Sequence, residues 1–311
     1  MIFDRTGAAT EGFHALGLAQ VPTYLLEAPR PALFDAGFSC LGPWYARDAR
    51  RVLGPRQPAY LFLTHVHFDH CGAAAQLKRA FPGLKVAASR RAAEIMARPN
   101  ALALMERLNH AAAEQVRAWA PELGETPGFE PFEVDLVLED GQEVDLGDGL
   151  TVRALATPGH TWDFMSYHVP QRDILVASEA VGCADGTGYV VSEFLVDYDA
   201  YVGSLRRLAG LGARVLCQGH RLIYLDEAVD EYIARSLQAA ADYKEWVESL
   251  LEQEDGDLER VAQRVRAQEY DPRPQPKQPL PAYLLNLRAR VGHLAQRRAA
   301  ALAGRLGSAS A

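Results

Sequence analysis

The chain has 311 residues, 49% of them hydrophobic, and a formal net charge of −8. That length buries a large core in one big domain or two, and the acidic balance argues against a nucleic-acid partner, which would need a basic groove. Four cysteines without a Cys-x-x-Cys spacing, no leader-like start and no run near the ~20 apolar residues of a membrane span point to a cytoplasmic protein with free thiols and no membrane partner.

The first elements are apolar runs at Gly17–Leu26 and Pro31–Ala36, joined in hairpin fashion by Glu27-Ala-Pro-Arg30. Asp35, closing the second run, suits either a plain turn or a group that orients a histidine. Ala59–Thr64 then reads as a buried strand and Gly72–Ala80 as a helix. Between them lies Thr64-His-Val-His-Phe-Asp-His-Cys-Gly72, with four potential metal ligands in six positions. Residues two apart on a strand end point the same way, so His65 and His67 suit one ion while Asp69 and His70, on the turn, face a second. The competing view, an incidental solvated cluster, sits poorly with the scarcity of histidine.

The stretch from Ser89 to Ala120 has helical period, with Ile95, Met96, Leu102, Leu104, Met105, Leu108 and Trp119 as apolar contacts. It is an insertion that either leans over the ligand edge or packs as a helix on a sheet; His110 on it reads as a surface residue. Strands follow at Phe132–Leu138, Gln142–Leu146, Leu150–Ala156, Phe164–Val169 and Asp173–Ala177, with His168 packed inside the fourth. His160 sits in the turn Thr157-Pro-Gly-His-Thr161, Glu179 follows the run Asp173–Ser178, and His220 follows Arg214–Gly219. Each occupies the same context, a turn after a strand. Cys71 and Cys183 stand near these positions, either as further ligands or as small buried apolar residues. Residues 181–190 carry three glycines without a Gly-Lys-Ser/Thr ending and read as a mobile loop, followed by apolar surface at Tyr189, Val190 and Phe194.

From Asp226 the pattern becomes helical: 226–252, 257–268 and 280–302, parted by Gln253-Glu-Asp-Gly256 and a proline-rich linker at 271–279. Tyr270, Tyr283 and His293 belong to this extension, either lining a pocket or packing in its core. The final residues from Ala303 read as a frayed tail.

His-x-His-x-Asp-His at 65–70, Pro-Gly-His-Thr at 158–161, a carboxylate after a strand at 179 and Gly-His at 219–220 together resemble the metallo-β-lactamase superfamily over roughly residues 10 to 225. The resemblance implies an α/β fold, a four-layer αββα sandwich over 1–225 with a helical insertion about 89–120, extended by helices over 226–311 as in its glyoxalase II-like and thioesterase-like branches. It also implies two divalent ions, zinc first and iron or manganese as alternatives: His65, His67 and His160 on one, Asp69, His70 and His220 on the other, with Glu179 as the bridging carboxylate. That last position is usually Asp, so the extra methylene of Glu179 puts the bridge and the spacing of the ions in question.

The chemistry expected of such a set is hydrolysis, in which a hydroxide shared by two cations, oriented by Asp69, attacks a carbonyl. A thioester or ester is the first substrate class, a lactone the second, and a phosphodiester or β-lactam stands behind them. The alternatives are a di-iron redox or sensing protein on the same ligands and a binding protein with weakened catalysis. The partner expected is a small molecule, with a homodimer compatible with the apolar faces of the terminal helices.

Overall fold

The computed structural model describes residues 1–124, 126–274 and 277–308; the side chains of Trp119 and of residues 304–308 and part of the proline-rich linker lie outside what is described. In chain order the strands and helices are β1 Ile2–Phe3, β2 Gly7–Thr10, β3 Phe13–Leu18, β4 Val21–Leu26, β5 Ala32–Phe34, α1 Gly42–Leu53, β6 Tyr60–Phe62, α2 Phe68–Cys71, α3 Ala74–Ala80, β7 Lys85–Ser89, α4 Arg90–Met96 and α5 Pro99–Trp119. They continue with β8 Leu136–Leu138, β9 Glu143–Gly147, β10 Leu150–Ala156, β11 Met165–Val169, β12 Ile174–Val176, β13 Cys183–Ala184, β14 Val190–Val191, α6 Tyr198–Ala209, β15 Val215–Cys217, β16 Ile223–Leu225, α7 Glu227–Gln253, α8 Leu258–Val265 and α9 Leu280–Ser308.

The chain forms two compact units: residues 1–157, 163–178 and 211–230, and residues 158–162, 179–210 and 231–311. The first unit holds two seven-stranded sheets, ordered β2-β3-β4-β5-β6-β7-β8 and β1-β16-β15-β12-β11-β10-β9. This is the mixed α/β architecture of an αββα sandwich with helices at the carboxyl end. One core, built on Phe13, Tyr24, Phe34, Phe62, Tyr167 and Val176, fills the space between the inner sheet faces. A second, including Leu25, Leu33, Leu61, Tyr45, Leu77 and Val116, lies under the helices that cover the first sheet. β4 is buried at all six positions, as a strand covered on both faces must be.

Strand direction places the ligand-bearing turns. β5, β6 and β7 run parallel, each crossover being made by helix, and β12 runs parallel to β15. β10 and β12 each pair antiparallel with β11, so their carboxyl ends share one sheet edge. In open α/β sheets functional groups gather beyond the carboxyl ends of strands, and here the turns after β6, β10, β12 and β15 carry the candidate ligands.

Several expectations change in detail. Gly17–Leu26 is two antiparallel strands, β3 and β4, with a tight turn at Ala19-Gln20, because alternating apolar residues run on through a reversal that carries no Pro-Gly or Asn-Gly mark. Residues 181–190 are built around a hairpin: β13 and β14 pair, and Asp185 closes the turn by accepting from Thr187 N at 2.8 Å and Tyr189 N at 3.2 Å. The strand expected from Phe132 begins only at Leu136. The insertion is two helices packed on the first sheet's core through Met105, Ala112 and Val116. At the carboxyl end α9 continues to Ser308 rather than fraying from Ala303, with 309–311 outside the described residues.

The second unit buries Tyr201 and Leu205 of α6, Tyr232, Tyr243 and Val247 of α7, Val261 and Val265 of α8, and Tyr283, Leu287 and Leu294 of α9. Asp197 and Asp257 cap α6 and α8, accepting from Ala200 N at 2.8 Å and from Glu259 N and Arg260 N at 3.1 Å. No helix among the described residues is long and apolar enough to cross a membrane.

Candidate metal centre

β6 ends at Phe62, and the chain leaves the sheet through Thr64 and His65 into α2, whose first turn carries Asp69 and His70. His65 and His70 are buried, their rings 4.4 Å apart between centroids, and the His65 and His67 rings are 4.5 Å apart. His220 enters from the turn after β15, its ring 5.2 Å from that of His70. Asp69, His70 and His220 offer ligand atoms that all lie within 4.8 Å of one another, with Asp69 Oδ2 3.5 Å from His220 Nε2 and 3.9 Å from His70 Nε2. Five of the seven expected ligands thus stand together within the first unit.

What holds these imidazoles is hydrogen bonding at Nδ1. Asp35 Oδ2 accepts from His70 Nδ1 at 2.9 Å. The Asp35 carboxylate also takes the Thr64 N–H at 2.8 Å and the Thr64 hydroxyl at 3.0 Å. Since that hydroxyl spends its proton on Asp35, Thr64 Oγ1 is an acceptor toward His65 Nδ1, 3.1 Å away. His220 Nδ1 donates to Gln20 O at 3.3 Å. In these three rings a proton fixed at Nδ1 leaves the lone pair on Nε2, free to meet a cation.

The second unit treats His160 the same way. Its Nδ1 donates to Glu193 O at 2.5 Å. The turn that carries it is clamped: Leu195, Val196 and Asp197 N–H groups donate to Gly159 O at 3.0, 3.1 and 3.3 Å, and Ser204 Oγ donates to Pro158 O at 2.8 Å. Gly159 has φ +133°, and a Cβ there would stand 2.3 Å from Tyr201 Cα, so glycine is required by both conformation and contact. Glu179, buried, opens the short turn after β12, directly behind Ser178, whose φ of +48° is unusual for a non-glycine residue.

Supporting residues go beyond those legible in the sequence. Asp163, buried, accepts the Val66 N–H at 2.9 Å and so fixes the backbone between His65 and His67, while Ser89 Oγ donates to Asp163 O at 2.8 Å. Its only sequence signal is its place three residues after His160. Asp35 acts as the orienting group while also taking the turn conformation, at φ +56°. Among the described residues no cysteine joins a group of potential donors; Cys71 is buried, and burial pushes its thiol well above the ordinary range. His168 is packed in β11, and His293 Nε2 accepts the first free N–H of α6, from Tyr198, at 3.0 Å. Tyr283 is a core residue, stacked on Tyr270 with centroids 4.2 Å apart.

A two-sheet α/β fold with imidazoles and carboxylates gathered beyond the strand ends is the architecture of a metal-binding protein. The family model for the metallo-β-lactamase superfamily matches residues 16–220, and the chain belongs to that superfamily. The solved structure of a metallo-β-lactamase family protein from Thermus thermophilus is similar at TM-score 0.64 and 21% identity, over 94% of this chain and 95% of that one. Among curated relatives, a lactamase-like protein nscB of Trichophyton verrucosum is 28% identical over 177 residues, covering 56% of this chain and 46% of that protein. An atrochrysone carboxyl ACP thioesterase of Aspergillus fumigatus is 26% identical over 185 residues, covering 60% of this chain and 43% of that protein. The chain thus spans under half the length of these two relatives.

Proposed function

We propose that this protein is a metal-dependent hydrolase of a thioester or ester, with His65, His67 and His160 as the ligands of one divalent ion, Asp69, His70 and His220 those of a second, and Glu179 as the bridging carboxylate. The single observation that carries the reading is the shared tautomer: four imidazoles with Nδ1 committed to oxygen acceptors, each leaving Nε2 for a cation. Chain continuity supports the parts played by His160 and Glu179. Thr157 and Ser178 close β10 and β12 at one sheet edge, His160 follows three residues beyond the first, and Glu179 immediately follows the second.

When bound, two divalent ions supply a water nucleophile at neutral pH and polarise a carbonyl. Asp69, whose side chain is 20% exposed and so open to substrate, would orient such a water and offer its carboxylate to the proton. The buried His65 and His70 are held in place by Thr64 and Asp35. A thioester is preferred over a lactone because one curated relative bears the name of an acyl-carrier thioesterase. Zinc is the first choice of metal, with iron or manganese compatible with the same donors. A small-molecule substrate accords with a net charge of −8.

The test is turnover of a panel of acyl thioesters, aryl esters and lactones by protein loaded with a measured metal content. Chelator-sensitive thioester hydrolysis is the expected result. Full metal occupancy with no turnover of any panel member would overturn the reading.

A further inference from the structure

The second unit contains a cavity of about 550 Å³, inside the range of small-molecule sites. Its walls come from the β13–β14 hairpin, from α7 and from the turn after α8, and include Tyr189, Arg235, Asp242, Tyr243, Trp246 and Arg273. Aromatic groups form one end: Tyr243 and Trp246 pack edge-to-face with centroids 5.9 Å apart. The Tyr243 hydroxyl, buried, has no hydrogen-bond partner among the described residues, an unmet polar group of the kind that asks for an explanation.

Two guanidinium groups converge on the hairpin end. Arg235 Nη2 donates to Gly188 O, and Arg273 lies 3.4 Å over the Tyr189 ring while its Nη1 donates to Asp185 Oδ2 and Thr187 Oγ1 at 3.2 Å. The charges do not cancel there. Asp185 compensates Arg273, and Glu269, also on the wall, is saturated by Arg290, Tyr189 and Tyr283. Arg235 has no acidic partner within ion-pair distance among the described residues. Asp242, bonded to Gln238 Nε2 at 2.7 Å, stands seven residues along α7 from Arg235, roughly 10 Å at the helical rise. The uncompensated Arg235 at the hairpin end favours a ligand with one anionic end, placed away from Asp242.

The geometry points to a binding site for an amphipathic monoanion: a carboxylate held by Arg235 and Arg273, with a planar or acyl body lying against Tyr243 and Trp246. Guanidinium groups recognise carboxylates through paired charge-assisted hydrogen bonds, and the aromatic walls supply the apolar contact. The exposed side chain of Arg235 makes it replaceable without loss of the fold.

The experiment is titration of the full chain with 1-naphthoate by calorimetry and tryptophan fluorescence, metal-loaded and after chelation, with 1-naphthalenemethanol as the uncharged counterpart. Saturable naphthoate binding is expected in both metal states, with the alcohol and the Arg235→Gln variant each weaker by about tenfold. Trp246→Phe should remove the fluorescence change while calorimetric binding persists, and Ala239→Trp, which fills the cavity from α7, should abolish binding with the fold retained. Absence of saturable binding overturns the proposal, as does equal affinity for the alcohol. So does binding that vanishes on chelation and is untouched in Arg235→Gln, which places the anion at the metal donors. Loss of naphthoate binding leaves the hydrolase reading standing, since thioester turnover is measured separately.

Discussion

Asp35 and His70, 35 residues apart in sequence, are joined by a 2.9 Å hydrogen bond at the end of two adjacent parallel strands. The register makes this inevitable: Phe34 stands beside Phe62, so the first residue past β5 meets the first turn past β6, with Asp35 N donating to Phe62 O at 2.9 Å. Asp35→Asn keeps the shape and tolerates the positive φ but withdraws the charge. Metal affinity is expected to fall about 10–100-fold with the chain folded. Asp35→Ala also strands the buried Thr64 N–H and should cost about 1–3 kcal/mol of stability. Competitive chelator titration and urea unfolding measure the two effects; an unchanged affinity in Asp35→Asn removes the orienting role.

Removal of a proposed ligand should empty a site without melting the protein. His67 and His220 are not fully buried, so His67→Ala and His220→Ala are expected to lower metal content while circular dichroism stays unchanged. Metal analysis by mass spectrometry on protein purified without chelator measures this and distinguishes zinc from iron. Unaltered stoichiometry in both variants contradicts the ligand assignment.

Glu179 tests the departure from the usual Asp. Glu179→Asp, one methylene shorter, should retain two metals and thioester turnover within about tenfold, whereas Glu179→Ala loses one metal and most turnover. Equal metal content in the wild type and Glu179→Ala would show that this carboxylate binds no ion.

Glu269 and Arg290 form a fully buried pair in the second unit, Nη2 to Oε2 at 2.7 Å, with Tyr283 donating to the same carboxylate at 2.7 Å and Tyr189 at 3.1 Å. Burial raises the Glu269 carboxyl, but the charge of Arg290 and the hydrogen bonds outweigh it and leave the group below its ordinary value. A carboxyl lowered by folding stabilises fully above the unfolded range, about pH 4.3, and that contribution disappears as pH falls toward the folded-state value. Glu269→Gln is expected to cost about 3–5 kcal/mol at pH 7 and to flatten the acid limb of the stability curve. Chemical unfolding from pH 3 to pH 7 checks both; a parallel acid limb in the variant would remove Glu269 as its source.

Gly159 carries the turn before His160. Gly159→Ala places a methyl group against Tyr201 in a backbone conformation that L residues avoid. A loss of about 2–4 kcal/mol is expected, by thermal unfolding, with weakened metal retention. Wild-type stability in this variant would mean that the turn has freedom to move.

The sequence by itself brought out the candidate donors. His65, His67, Asp69 and His70 fall inside six consecutive residues, so strand and turn geometry alone place them together, and the turns at His160, Glu179 and His220 bear the same local mark. The architecture was legible through those same motifs, whose order and spacing resemble a known superfamily; the strand-length apolar runs and helical stretches between them agree with its fold but do not by themselves give a strand order. Short-range cues failed where an element is too brief for periodicity, as in the two-residue strands of the β13–β14 hairpin, or where two strands share one apolar run, as at β3 and β4.

Only the tertiary structure decided which nitrogen is tied up in four of the imidazoles and which is left over. The acceptors that fix Nδ1 lie at Asp35, Gln20 and Glu193, as far as 200 residues away, and two of them are backbone carbonyls that carry no residue identity. The neutralisation of Glu269 by Arg290 and the cavity beside it depend likewise on which helix faces meet. Residue chemistry is local and written in the chain, whereas orientation and compensation are long-range and exist only once the chain has closed on itself.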